Sequence, residues 1–160
     1  MHSPMTLDLA TPRLLLNYVP DVETLDWLGG GRCGVYYLHA DGLYAGAVSL
    51  TSHSRTHGEI GYKIEPEFRN KGLATEALTE VISFVRAHHG FTLLSAQADA
   101  ENIASRRVLE KTGFVRVGAK LCWSEDCQSS IGLSKYHRFT AARLIPKAVP
   151  RAACLPSAAR

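Results

Sequence analysis

The segment Arg69–Gly72 reads Arg-Asn-Lys-Gly and stands directly before an apolar pattern that predicts a helix. The first N–H groups of a helix have no intrahelical acceptor, and the helix dipole favours negative charge there. A helix start normally prefers Asp or Glu, but this one carries Arg69 and Lys71, while Gly72 lets a ligand approach the backbone. Neither a Walker loop nor GxGxxG is present, so the turn predicts an anion site of another kind. A solvated basic loop is the alternative.

Two helices must position this turn and its surroundings. The first is predicted from about residue 73 to His88, with Gly90 as its stop. Its core-facing residues recur with the helical period: Leu73, Ala77, Leu78, Val81, Ile82 and Val85. The second helix follows Asn102, a predicted N-cap, and ends before Gly113.

Strand-like runs surround these helices. Asp41-Gly42 predicts a hairpin turn, and 21–28 predicts one or two helical turns. The strands are predicted at 13–19, 35–40, 43–50, 58–66, 91–98, 114–123 and 129–139. This order indicates an α/β domain (α+β layered) with a mixed, mostly antiparallel sheet. The unit from 58 to 98 is a strand–helix–strand crossover, so its two strands should be parallel. We expect one domain at 1–140 and an irregular, basic, Ala- and Pro-rich tail at 141–160.

Composition excludes several classes of function. A net charge of +3 does not by itself argue for nucleic-acid binding, although the basic tail keeps that reading open. No apolar run approaches the roughly 18 residues of a membrane helix, and no secretory signal is visible. The four cysteines form no CxxC pair and no zinc-binding spacing with histidine, so we expect no metal site. Reduced thiols in a cytoplasmic protein are the expectation.

Two motifs resemble the GNAT superfamily of N-acetyltransferases, in its RimJ/RimL-like branch. Arg69-x-x-Gly72-x-Ala74 matches the [QR]-x-x-G-x-[GA] pyrophosphate loop, and "NIASRRVLEKTGF" at 102–114 matches a second signature. "ATPRLLL" resembles the opening strand of that branch. The similarity spans 11–114. It implies the GNAT fold, in which a splayed pair of parallel strands holds the cofactor.

The resemblance implies acetyl-CoA as the acetyl donor and coenzyme A as product, without a metal. The pantetheine arm would run beside 62–64, with Ile64 as the best single choice, and Asn102 would contact the arm or an ordered water. The pyrophosphate would lie on the turn, whose cofactor-binding residues would be Arg69, Asn70, Lys71, Gly72, Leu73, Ala74 and Thr75.

The same resemblance suggests catalytic residues for attack of an amine on a thioester. The amine must lose a proton and the thiolate should leave protonated. Glu59 stands where related histone acetyltransferases carry a catalytic Glu, and His57 could relay a proton; both could instead be surface groups. The usual acid, a Tyr before Glu-Lys in the second helix, is Leu109 here. Ser105 matches the proposed acid of the ribosomal-protein branch, although it could simply bond within its own turn.

The acceptor side departs from the family. GNAT proteins generally carry two helices between the first strand and the hairpin, whereas only a shortened region at 20–33 lies there in this chain. The acceptor site should therefore be open, or completed by a homodimer partner or the tail. A peptide or protein N-terminus competes with a small-molecule amine as acceptor, and a non-catalytic acyl-CoA-binding or regulatory module is the alternative function.

Overall fold

A computed structural model describes residues 7–20, 34–88, 90–124 and 129–139. Within them the chain forms strands and helices in an order close to the predicted one. The elements are β1 (Leu9–Ala10), β2 (Leu15–Pro20), β3 (Gly34–Ala40), β4 (Leu43–Ser52), β5 (His57–Ile64), α1 (Leu73–His88), β6 (Leu93–Asp99), α2 (Ile103–Lys111), β7 (Val115–Ser124) and β8 (Ser129–Phe139). A short 3-10 turn, Pro66–Phe68, links β5 to the turn before α1.

All eight strands belong to one sheet in the order β1-β2-β3-β4-β5-β6-β8-β7. The pair β5–β6 is parallel, and every other neighbouring pair is antiparallel. This confirms the predicted mixed, mostly antiparallel sheet and the parallel crossover. The final pair is antiparallel as predicted, but β8 lies beside β6 and β7 forms the sheet edge.

Local signals in the sequence account for the turn and helix ends. Asp41 and Gly42 both have positive φ, 51° and 77°, which a two-residue I′ hairpin turn requires. Asn102 caps α2 by accepting a hydrogen bond from the backbone N–H of Ser105. The six apolar residues predicted to face the core from α1 are all buried.

Both helices pack over one face of the sheet, and the core lies between them and the strands. Val81 and Val85 of α1 are fully buried, as are Tyr36 of β3 and Ile60 of β5 (at most 2% exposed). The other face of β5 carries Glu59, because successive strand residues point to opposite faces. At β5 the sheet thus separates the apolar core from a face that carries the Glu59 carboxylate.

Some predictions lie outside the described residues: the helical turns at 21–28, the shortened region beyond Pro20, and the tail at 141–160. In the described part of the chain, no helix is long and apolar enough to cross a membrane. Over the same residues, no group of three or more His, Cys, Asp or Glu side chains could hold a metal ion.

Candidate active site

The central feature is a gap between two parallel strands. Pairing of β5 with β6 runs only from His57–Leu93 to Ile60–Ala96, so the strands part beyond those residues. A groove of about 540 Å³ opens there, between β5, α2 and the turn before α1. Most predicted site residues line it: Ile64, Arg69, Asn70, Gly72, Leu73, Ala74, Thr75, Asn102 and Ser105.

The turn before α1 has the backbone shape of an anion cradle. Asn70 and Gly72 adopt left-handed φ of 60° and 76°, which reverses the chain immediately ahead of the helix. A Cβ built on Gly72 would contact only Arg13 Nη2, at 3.6 Å, so the space above this backbone is open. The N–H groups of the first helical residues, Leu73 onward, lie too early in α1 for an intrahelical acceptor.

The two cations of the turn play different parts. Arg69 lines the groove, and its Nε donates to the Ile64 carbonyl at 3.0 Å, which joins the turn to the end of β5. Lys71 does not line the groove; its Nζ lies over the Phe68 ring, 5.3 Å from the centroid. The structure therefore brings Arg69 to the candidate site and sets Lys71 at its margin.

An ion pair between Arg13 and Glu76 holds the turn in place. Arg13 Nη1 donates to the Lys71 carbonyl at 2.8 Å, and its Nε donates to Glu76 Oε2 at 2.7 Å. Thr11 Oγ1 donates to the other oxygen of Glu76. Burial raises the pKa of Glu76, but the hydrogen bonds from Thr11 and Arg13 outweigh it and leave that pKa lowered. Sequence reasoning missed this role for Arg13; the Thr-x-Arg pattern of the opening strand was the available signal.

On the opposite wall, Ser105 is held by two neighbours. Its backbone N–H donates to Asn102 Oδ1 at 3.0 Å. The Tyr62 hydroxyl lies 2.9 Å from the Ser105 carbonyl oxygen and 2.7 Å from Ser105 Oγ. Burial raises the pKa of Tyr62, while the hydrogen bond with Ser105 partly lowers it. Leu109 is fully buried in the core and contributes no group to this wall.

On the far face of β5, Glu59 lies in a polar cluster that the sequence only partly predicted. His53 Nε2 is 2.6 Å from Glu59 Oε2, and Gln97 Nε2 donates to Glu59 Oε1 at 3.1 Å. His57 instead pairs with Ser95 Oγ at 2.9 Å, and its pKa is lowered by burial and by nearby histidines. The sequence analysis missed His53 and Gln97, because a cross-strand contact depends on register rather than on spacing in the chain.

Comparison with known proteins gives a consistent picture. Residues 17–115 match the family described as an acetyltransferase (GNAT) domain. Among curated proteins of Bacillus subtilis (strain 168), the uncharacterized N-acetyltransferase YoaA is 33% identical over 75 residues, 46% of this chain and 42% of that protein. The putative ribosomal N-acetyltransferase YdaF is 32% identical over 93 residues, 57% of this chain and 49% of that protein. The chain thus spans about half or less of the length of these relatives.

Solved structures agree on the fold. A GNAT-family acetyltransferase from Bacillus anthracis superposes with a TM-score of 0.67 at 19% identity, covering 84% of this chain and 99% of that one. RimL, a ribosomal L7/L12 alpha-N-protein acetyltransferase solved with coenzyme A, gives 0.61 at 17% identity, covering 67% of this chain and 62% of that one. The resemblance read from the motifs is confirmed. The chain belongs to the acetyltransferase (GNAT) family.

Proposed function

We propose that the protein is an acetyl-CoA-dependent N-acetyltransferase acting on a primary amine. The observation that carries the proposal is the groove between the parted strands β5 and β6. The groove ends at a basic turn before α1, in which Asn70 and Gly72 have left-handed φ values. The relatives named N-acetyltransferases support it, as does the coenzyme A bound to RimL.

The groove suits acetyl-CoA at two points. At the turn, Gly72 leaves open space above unpaired backbone N–H groups, and Arg69 adds positive charge, so a pyrophosphate fits there. Along β5, residues 62–64 have no pairing with β6, and their side of the strand can form hydrogen bonds with the amides of a pantetheine arm. Asn102 lines the same groove, and its amide nitrogen remains a donor when Oδ1 caps α2.

Bound acetyl-CoA would supply an activated thioester. Glu59 is the proposed base for the amine, because it lies on β5 just before the strands part. His53 lies against one of its oxygens and Gln97 holds the other, so the carboxylate is fixed in direction. A carboxylate on this face also attracts a protonated amine before it loses its proton.

Ser105 is the proposed acid on the leaving-group side, since it lines the groove and Leu109 carries no ionisable group. As acceptor, we propose a peptide or protein N-terminus, with a small-molecule amine as the competing class. YdaF and RimL, both named for ribosomal acetylation, support the former.

The test is acceptor-dependent release of coenzyme A by the purified protein, measured with a thiol reagent. The panel should hold peptides with free N-termini, amino acids and polyamines. Gly72→Glu should abolish coenzyme A binding in calorimetry, because side chain and charge enter the pyrophosphate site. Gly42→Glu is the matched control: its φ of +77° imposes the same backbone strain, with nothing within 4 Å of its Cβ.

Two results would decide against the proposal. Normal coenzyme A binding by Gly72→Glu would remove the turn from the site. Tight binding by the wild type with no amine raising thiol release above hydrolysis would favour a non-catalytic acyl-CoA-binding module.

A further inference from the structure

We propose that Tyr62 supplies the proton for the leaving group and passes it through Ser105. The inference rests on the acetyl transfer proposed above. Tyr62 lies on β5, two residues beyond the last one paired with β6, and Ser105 lies in α2 on the other wall of the groove. Their hydroxyl oxygens are 2.7 Å apart although the residues are separated by 43 positions in the chain.

The hydrogen bonds around this pair allow two arrangements of protons. A carbonyl oxygen only accepts, so the Tyr62 O–H donates when it pairs with the Ser105 carbonyl at 2.9 Å. In that arrangement the Ser105 hydroxyl donates back to Tyr62 Oη. If the Tyr62 O–H turns to Ser105 Oγ, the Ser105 O–H is released to point into the groove. Only hydrogen atoms move between the two arrangements.

Acidity explains why a serine needs a phenol behind it. An aliphatic hydroxyl, like water, is a far weaker acid than a thiol, whose pKa is about 8.5, or a tyrosine, whose pKa is about 10. Ser105 alone would be left as an unstable alkoxide. With Tyr62 as the source, the charge left behind is a phenolate, which is much closer in basicity to the thiolate.

The step balances as follows. The amine nitrogen forms a bond to the acetyl carbon and gives its proton to Glu59, and the carbon–sulfur bond breaks. Ser105 Oγ donates its proton to the departing sulfur while accepting the proton of Tyr62 Oη. Water then returns a proton from the Glu59 side of the sheet to Tyr62, so the protein ends each cycle unchanged.

The surroundings keep Tyr62 protonated before the step. Burial raises its pKa, and Tyr136 of β8 raises it further. Arg106 of α2 donates a hydrogen bond to the Tyr136 hydroxyl at 3.2 Å, rather than to Tyr62. Other cations line the same groove: Lys63 of β5, Arg69 of the turn, and Arg107 and Lys111 of α2.

The first experiment removes single oxygens. Tyr62→Phe and Ser105→Ala should each lower kcat by about 10²-fold or more. Their calorimetric affinity for coenzyme A should stay within about twofold of wild type, because neither change enters the turn. Because both hydroxyls belong to one proton path, the kcat of the double variant should be little lower than that of either single variant. Tyr44→Phe is the control, since Tyr44 is exposed on β4 and does not line the groove.

The second experiment follows the phenol itself, without substrate. Difference absorbance between wild type and Tyr62→Phe gives the titration of Tyr62, and Ser105→Ala should raise its pKa because the Ser105 bond lowers it. A fluorotyrosine placed at position 62 is more acidic. Because Tyr62 must be protonated to act as the acid, kcat should fall at alkaline pH as Tyr62 loses its proton. The fluorotyrosine should move this fall and the absorbance titration to lower pH by the same amount.

Three results would overturn the proposal. If Tyr62→Phe has the kcat of the wild type, Tyr62 takes no part in the reaction, although the transferase function still stands. The same holds if the fluorotyrosine does not shift the pH at which kcat falls. A Tyr62 titration that Ser105→Ala leaves unchanged breaks the link between the two hydroxyls. A wild type that binds coenzyme A but transfers to no amine overturns the proposed function and this step with it.

Discussion

Replacing Arg13 by Gln should destabilise the protein through the turn that precedes α1. Among the described residues, only the Arg13 side chain forms hydrogen bonds with both the Lys71 carbonyl and the Glu76 carboxylate. Gln is shorter and uncharged, so it cannot span both. The loss falls on Glu76, whose side chain is 17% exposed and would keep only the donors of Thr11 and the Arg13 backbone.

The expected magnitude lies between two limits. Hydrogen bonds to a charged group contribute about 1.5–3 kcal/mol, whereas exposed ion pairs contribute about 0.2–1 kcal/mol. Arg13 is 52% exposed, which screens the pair, but two of its nitrogens lie 2.7 and 2.6 Å from one Glu76 oxygen. We expect Arg13→Gln to lower the free energy of unfolding by about 1–2 kcal/mol at pH 7.

The pH dependence has a definite sign. Because the folded pKa of Glu76 is lowered, its contribution is present above the unfolded value, about 4.3, and is lost as the pH falls through the folded value. The stability difference between wild type and Arg13→Gln should therefore shrink below about pH 4.

Urea unfolding followed by circular dichroism, at pH 7 and at about pH 3.5, measures both quantities. A double-mutant cycle with Glu76→Gln isolates the coupling energy. Lys63→Gln is the control, because Lys63 is 72% exposed and 3.6 Å from Glu65, so its loss should stay within about 0.5 kcal/mol. A coupling energy of zero at pH 7, or a stability difference that persists unchanged in acid, would show that the Arg13–Glu76 ion pair does not stabilise the turn.

Other consequences follow from the groove and its two faces. Glu59→Gln should lower kcat about 10²-fold with coenzyme A affinity unchanged, and His53→Gln should lower kcat less. If Glu59→Gln has the same kcat as the wild type at every pH, Glu59 takes no part in the reaction. Arg69→Ala should weaken coenzyme A binding in calorimetry by roughly tenfold, and Lys71→Ala clearly less, because of these two turn residues only Arg69 lines the groove. The reverse order would contradict the placement of the two cations. Asn102→Ala should lower the free energy of unfolding by about 1 kcal/mol through loss of the α2 cap, whereas Asn102→Asp should retain most of it in the same urea assay.

Much of the fold could be predicted because the relevant interactions are local. The period of apolar residues determined which face of α1 is buried, and Asp41-Gly42 determined the hairpin turn. The cap by Asn102 follows from a side chain and a backbone group three residues apart. Likewise, eight of the nine predicted residues that line the groove lie in two short segments, 69–75 and 102–105, each at the start of one helix, and the ninth, Ile64, ends β5.

Contacts between distant segments could not be read in this way. Arg13 meets Glu76 across 63 positions, and Tyr62 meets Ser105 across 43. Both contacts require the sheet order, the register and the packing of helices on one face, and many orders are compatible with the same run of strands.

The amino-acid sequence alone was enough to identify the family, the position of the candidate anion-binding turn and the residue types available for chemistry. The folded structure was needed to show which side chains lie together: His53 rather than His57 is hydrogen-bonded to Glu59, and Tyr62 to Ser105. Secondary structure depends on neighbours in the chain, whereas a site depends on side chains that the folding of the sheet brings within hydrogen-bond distance.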